Sequence, residues 1–242
     1  WKLIKKVISM SDSVIVMTES SYKTLADCGY RNVYLVPNPL SPTVMDYVSA
    51  HSDKKRIPNT VLFAGHVVKT KGVEELVDTC GQIENVKLKI IGHATDEMKN
   101  LLRQKAINCK GDSSWLELTG ELPYEQVLDQ MQRCDVFVLP TYTEGFPNVI
   151  LESMACGCAI VTTKVGAIPE MLKEDDRGKY GILIDPKNTE ALESAIKTML
   201  DDENLKNQCR QNAQRRVCER YTIHIIWSKL FDIWCNLSND NI

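Results

Sequence analysis

The chain alternates short runs of apolar residues with longer amphipathic stretches, and the two periods separate strands from helices. The runs are brief, as in Val14-Ile15-Val16-Met17 and Val136-Phe137-Val138-Leu139. After an opening amphipathic helix, the pattern predicts a strand at residues 13–18, a helix near 21–28 and a strand at 33–36. Pro37, Pro39 and Pro42 then break any regular element, and the polar stretch 51–58 reads as a linker or surface loop. Beyond it, strands are expected near residues 60–64, 86–91, 116–119, 135–140, 159–163 and 181–184. Helices are expected between them, near 72–82, 96–106, 124–133, 147–155 and 168–172.

This alternation defines an α/β fold with a doubly wound, Rossmann-like parallel sheet, whose ligand loops lie at the carboxyl ends of the strands. From residue 189 the pattern turns wholly helical: 189–200, capped by Asn188 or Thr189, then 204–221 and 222–237. The last helix carries Ile225, Ile226, Trp227, Leu230, Phe231, Ile233, Trp234 and Leu237. It is too apolar for a lone surface helix and is expected to pack toward the N-terminal part. The expected division is therefore an N-terminal β/α unit at 1–40, a linker at 41–58, the main sheet domain at 59–202, and C-terminal helices at 203–242. The chain opens at Trp1 in the middle of a helical pattern, so a piece of a longer protein is expected.

Composition narrows the function. With 242 residues and 43% hydrophobic content, there is material for one large core, or one domain and a fragment. The 29 Lys and Arg against 32 Asp and Glu leave a formal charge of −3, which gives no field to hold nucleic acid. No apolar run approaches the ~20 residues that span a bilayer. The nine cysteines are scattered and form no C-x-x-C pair, so neither a disulfide framework nor a metal site is encoded. Cys156 and Cys158 read as small buried residues in a reducing, cytoplasmic setting.

Two loops carry candidate chemistry. In the first, a strand ending at Ala64 runs through Gly65, His66, Lys69 and Lys71 into a helix, and backbone N–H groups beside a Lys suit an anion. It is neither a P-loop nor a Gly-x-Gly-x-x-Gly fingerprint. Taken alone, it reads equally as a solvated turn with exposed lysines. The second loop follows Pro140 and runs Thr-Tyr-Thr-Glu-Gly-Phe-Pro-Asn from Thr141 to Asn148, into a nearly all-apolar helix. Glu144 lies at the strand's carboxyl end, and Glu152 sits one turn inside the helix on the face of Asn148. The simplest structural role would have Glu144 capping the helix and Glu152 as a surface charge. Among Val149, Ile150, Leu151, Met154 and Ala155, however, a carboxylate needs a partner.

Glu144 and Glu152, within Glu-Gly-Phe-Pro-Asn-Val-Ile-Leu-Glu-Ser-Met-Ala-Cys-Gly, resemble the signature of the retaining GT-B glycosyltransferases of family 4, also called group 1. Agreement extends to Gly65 with Lys71-Gly72, to Leu118-Thr119-Gly120-Glu121-Leu122, to Cys134-Asp135 with the strand after it, to Val165-Gly166-Ala167-Ile168-Pro169-Glu170, and to Gly181-Ile182-Leu183-Ile184. These occur in family order from about residue 59 to 186, and Val36-Pro37-Asn38 looks like the end of the family's N-terminal domain. The resemblance implies that residues 59–202 bind a nucleotide-sugar and that 1–40 are the remnant of an acceptor domain.

On that resemblance Lys71 neutralises the donor diphosphate, Glu152 accepts hydrogen bonds from the ribose, and Glu144 holds sugar hydroxyls beside the anomeric carbon. Gly65 and His66 border the phosphates. The backbone of Gly145, Phe146, Pro147, Asn148 and Val149 touches sugar and phosphate, and that of Glu121 and Leu122 meets the base.

The implied activity is retaining transfer of a hexose from a nucleotide-diphosphate-sugar, UDP favoured over GDP, to a saccharide or lipid-linked acceptor in polysaccharide biosynthesis. It requires no metal and no cofactor beyond the donor substrate. The setting is cytoplasmic, with peripheral association at the inner face of a membrane through the missing domain. Many members carry Arg where this chain has His66, so phosphate binding is expected to be weaker or pH-dependent. The alternative is a nucleotide-sugar-binding module without transferase activity of its own. A GT-B-like sugar-nucleotide epimerase would need its own acid and base pair, which the sequence does not reveal. His93, Lys164 and Glu170 also fall near strand ends as secondary candidates.

Overall fold

The computed structural model describes residues 2–239. A short helix α1 (Lys2–Ser9) leads into a small parallel unit of β1 (Val14–Val16), α2 (Glu19–Asp27) and β2 (Val33–Leu35). Val14, Ile15 and Val16 pair in register with Val33, Tyr34 and Leu35. Thr18 caps α2 through its hydroxyl, which accepts from the Ser21 amide at 3.1 Å.

The stretch expected as a linker is half helix. After the proline break, Pro42 opens α3 (Pro42–Ala50), because a proline that cannot continue a helix is well suited to begin one. Leu40 and Val44 are fully buried in the main core. Downstream, Arg56 is anchored at the ends of the helices Tyr124–Arg133 and Asn148–Ala155: its guanidinium donates to the carbonyls of Met131, Cys134, Cys156 and Gly157 at 2.6–3.1 Å. Carbonyls left free at helix ends attract a cation, so this stretch is fastened to the main domain.

The main domain runs β3 (Thr60–Ala64), α4 (Val73–Gly81), β4 (Lys87–Ile91), α5 (Asp96–Lys110), β5 (Leu116–Gly120), α6 (Tyr124–Arg133), β6 (Val136–Leu139), α7 (Asn148–Ala155), β7 (Ala159–Thr163), α8 (Ile168–Met171) and β8 (Ile182–Ile184). All six strands are parallel, in the order β5-β4-β3-β6-β7-β8. Hydrophobic continuity reports position in the sheet: every residue of β6 and β7 is buried, whereas β5, at the edge, exposes Glu117 beside buried Leu116. α5 runs one turn past its expected end at residue 106, to Lys110, where Gly111 at φ +83° stops it.

Three helices close the chain: α9 (Thr189–Asp201), α10 (Glu203–Arg220) and α11 (Ile223–Asn239). Asn188, rather than Thr189, caps α9, accepting from the Ala191 amide at 2.9 Å. α10 lies along α7 and β7. Its buried Lys206 meets Asp135 at 2.9 Å, and Arg210 meets the same carboxylate at 3.0 Å. The Leu40 amide donates to the Tyr221 carbonyl at 2.6 Å. α11 then buries Ile226 and Ile233 against Val36, with Tyr34, Leu230 and Leu237 around them. Its other face leaves Trp227, Phe231 and Trp234 exposed.

Candidate donor-binding site

The strand order reverses between β3 and β6: from β3 the chain builds outward through β4 and β5, then returns to place β6 on its other side. Loops leaving two such strands diverge and open a crevice at their carboxyl ends. The β3 loop turns through Lys69–Lys71 to Gly72, whose backbone is left-handed at φ +68°. A Cβ there would lie 2.2 Å from the Pro140 carbonyl oxygen, so only glycine lets the two loops touch. The Tyr142 amide donates to the Thr70 carbonyl at 2.8 Å and locks the contact.

Across this junction Lys71 Nζ meets Glu144 Oε1 at 2.5 Å, with the side chains 24% and 12% exposed. Two residues earlier, the Tyr142 phenol donates to Glu75 of α4, and the Lys187 ammonium sits 5.0 Å over the Tyr142 ring. Burial, then the Glu75 carboxylate, raises the Tyr142 pKa, so the phenol stays a donor. The role of Glu144 as a helix cap is overturned: α7 has Pro147 at its N-cap, and no side chain caps it. The positive end of α7 thus opens beside this pair.

Glu152 is half-buried and meets a partner from another element, the Tyr124 hydroxyl, which donates at 2.8 Å. The surface-charge role is overturned with it. Burial raises the carboxyl pKa, and the Tyr124 hydrogen bond opposes the rise. Both residues line a cleft of about 570 Å³ with Gly65, Glu121, Leu122 and Val149. Its walls are mixed: apolar side chains at Leu122 and Val149, bare backbone at Gly65, and a carboxylate at Glu152.

Five of the residues singled out by sequence, Gly65, Glu121, Leu122, Val149 and Glu152, therefore share one cleft, and Lys71 and Glu144 pair with each other. His66 is exposed. Phe146 turns away to the Tyr221 ring, with centroids 6.1 Å apart, and Pro147 is buried. Asn148 accepts through Oδ1 from Asn38 at 3.2 Å, and the Gly145 carbonyl accepts from the Ala167 amide at 2.9 Å. Of the secondary candidates, His93 is exposed, Lys164 pairs with Asp185 at 3.3 Å, and Glu170 binds the start of α2. Tyr124 and Tyr142 were not singled out. Their signal was a tyrosine beside each motif, at the first turn of α6 and two residues before Glu144.

The parallel six-stranded sheet with its flanking helices has the Rossmann-like fold found in GT-B glycosyltransferases. The structure superposes with a TM-score of 0.80 on sucrose-phosphate synthase from Thermosynechococcus elongatus, at 21% identity, covering 99% of this chain and 61% of that one. With HepE of Anabaena, solved in complex with UDP, the TM-score is 0.76 at 20% identity, covering 93% and 64% of the respective chains. The chain belongs to the glycosyl transferases group 1 family, whose sequence model matches residues 48–216.

Similar relatives include the capsular polysaccharide biosynthesis glycosyltransferase CapM of Staphylococcus aureus, 30% identical over 179 residues, or 69% of this chain and 43% of the relative. Another is the N,N'-diacetylbacillosaminyl-diphospho-undecaprenol alpha-1,3-N-acetylgalactosaminyltransferase of Campylobacter jejuni, 29% identical over 183 residues, or 74% and 45%. The chain thus spans less than half the length of these two relatives.

Proposed function

We propose that this chain is the donor-binding half of a retaining hexosyltransferase that takes a nucleotide-diphosphate-sugar, UDP-linked in preference to GDP-linked, and transfers the sugar to a saccharide or lipid-linked acceptor. The observation that carries the reading is the Lys71–Glu144 pair at the reversal of strand order, beside the cleft that Glu152 lines. A donor engages both members: phosphate oxygens accept from Lys71, and sugar hydroxyls donate to Glu144. Each charge then exchanges one partner for another, so opening the pair leaves neither group bare. The ribose donates to Glu152, and the base enters between Gly65 and Leu122.

Departure of the nucleoside diphosphate puts growing negative charge on the phosphate. Lys71 and the uncapped end of α7 are fixed there beforehand, which is the arrangement that lowers such a barrier without a metal. Nine free cysteines suit a reducing, cytoplasmic setting. No helix among the described residues is long and apolar enough to cross a membrane. Contact with a membrane's inner face would therefore come from the acceptor or from further parts of the protein. Relatives named for capsular polysaccharide and undecaprenol-linked glycan synthesis support the assignment to polysaccharide biosynthesis.

Calorimetric titration with UDP, GDP and ADP, repeated on Glu152→Ala and Lys71→Ala, tests the reading. One nucleotide is expected to bind selectively and to lose affinity in both variants. A folded chain that binds none of them would refute it.

A further inference from the structure

Glu170 carries no part of the chemistry proposed above, yet its carboxylate spans the two parts of the molecule. Oε2 accepts from the Glu19 amide at 2.7 Å, and Oε1 from the Ser20 amide at 3.2 Å. These are the first two residues of α2, in the N-terminal unit, whereas Glu170 belongs to α8 of the main domain. The Thr18 hydroxyl already takes the Ser21 amide of the same helix. Two capping groups thus share one helix end: one local, and one supplied from about 150 residues away. An anion held by two free amides at the positive end of a helix is a strong fastening for its size.

The same carboxylate is mechanically joined to the candidate site. α8 follows directly on Val165, Gly166 and Ala167, and the Ala167 amide donates to the Gly145 carbonyl at 2.9 Å. Gly166, at φ +55°, lies so close that a Cβ would come within 2.3 Å of the Glu144 carbonyl oxygen. Displacement of residues 144–145 therefore bears on the closely packed backbone of Gly166 and Ala167, four and three residues ahead of Glu170. The bond from Asn38 to Asn148 ties the end of the same loop to the end of the N-terminal unit. Loop and unit are thereby connected through two points, the middle of the loop and its end.

We propose that Glu170 is a positioning residue: its carboxylate latches α2 of the N-terminal unit to the donor loop and passes the loop's occupancy to that unit along Gly145, Ala167 and α8. This rests on the donor-site reading for its second half only. The latch itself is a property of the ligand-free chain.

Amide hydrogen exchange resolved by residue tests it, on the wild type, Glu170→Ala and Glu170→Gln. In the ligand-free chain, Glu170→Ala is expected to speed exchange at Glu19 and Ser20 at least tenfold. Glu170→Gln, which keeps one acceptor oxygen, should speed it less, and Ser21, held by Thr18, should change least in both. Equal exchange in all three proteins, or a rise spread evenly over β7 and β8, overturns the latch. Saturating UDP is expected to change exchange at Glu19 and Ser20 in the wild type and not in Glu170→Ala. If calorimetry shows UDP bound while those two amides do not respond, the coupling is overturned and the donor site stands. If calorimetry shows no binding, the donor-site reading fails with the coupling, and the ligand-free comparison still decides the latch.

Discussion

Lys71 Nζ lies 2.5 Å from Glu144 Oε1, the two residues reaching each other from loops 73 positions apart. In the ligand-free chain each charge neutralises the other, and on the proposed function a donor would offer each a new partner. On the proposed function, removing Lys71 has a double cost, because it would take away a phosphate contact and leave Glu144 as a bare charge that repels the diphosphate. A charged hydrogen bond of this kind contributes about 1.5–3 kcal/mol. Lys71→Ala is therefore expected to weaken UDP binding by roughly ten- to hundredfold. Adding Glu144→Gln should restore part of the loss, as a double-mutant cycle by calorimetry would register. Simple additivity would mean that the two residues do not act together.

Glu152 sets a pH dependence whose sign follows from burial. Its native pKa is raised, so the native state keeps a proton that the unfolded chain gives up. The resulting stabilisation is complete below the unfolded pKa of about 4.3 and is lost as pH rises through the native value. Glu152→Gln should consequently raise Tm at pH 8 and give no gain at pH 4. Thermal melts across that range are the check, and a gain independent of pH would contradict the burial argument.

Tyr124→Phe removes the hydroxyl that opposes the rise at Glu152. The carboxyl should titrate still higher, and nucleotide binding should begin to weaken at a higher pH than in the wild type. The pH profile of UDP affinity reads this directly. Unchanged profiles would mean that the hydroxyl does nothing for the carboxylate.

Arg56 joins the segment after α3 to four carbonyls, two of them at the end of α7. Its loss leaves several of these half-buried oxygens without a donor. Arg56→Ala is expected to lower stability by about 2–4 kcal/mol, visible as a shifted urea midpoint. A change under about 0.5 kcal/mol would place the guanidinium among ordinary surface groups.

How much of this was legible in sequence depended on whether a local rule met tertiary opposition. Residues 124–133 were read to the residue, because Pro123 sets the start of α6 and the extended backbone at Cys134 sets its end. The helix at Pro42–Ala50 was missed because three prolines in six residues say only that something ends. Whether Pro42 then starts a new helix is decided by burial of Val44, which lies outside any local window. Glu152 was legible as a carboxylate in need of a partner, since its neighbours along the helix are apolar. The partner was not, because Tyr124 reaches it from another helix. Likewise, Lys71 and Glu144 were each visible, while their pairing depends on two loops meeting at Gly72 and Pro140.

The packing of α11 against Val36 also constrains how the chain acquires its structure. Val36 leaves the ribosome long before Ile226 and Ile233, and its apolar cover does not exist until then. The small unit of β1, α2 and β2 has too few buried contacts to hold itself together in the interval. Its strands must either wait, open to mispairing, or be held by other parts of the nascent protein. A helix made far downstream thus completes the unit of β1, α2 and β2, and a chain that stops before residue 222 leaves the apolar face at Val36 uncovered.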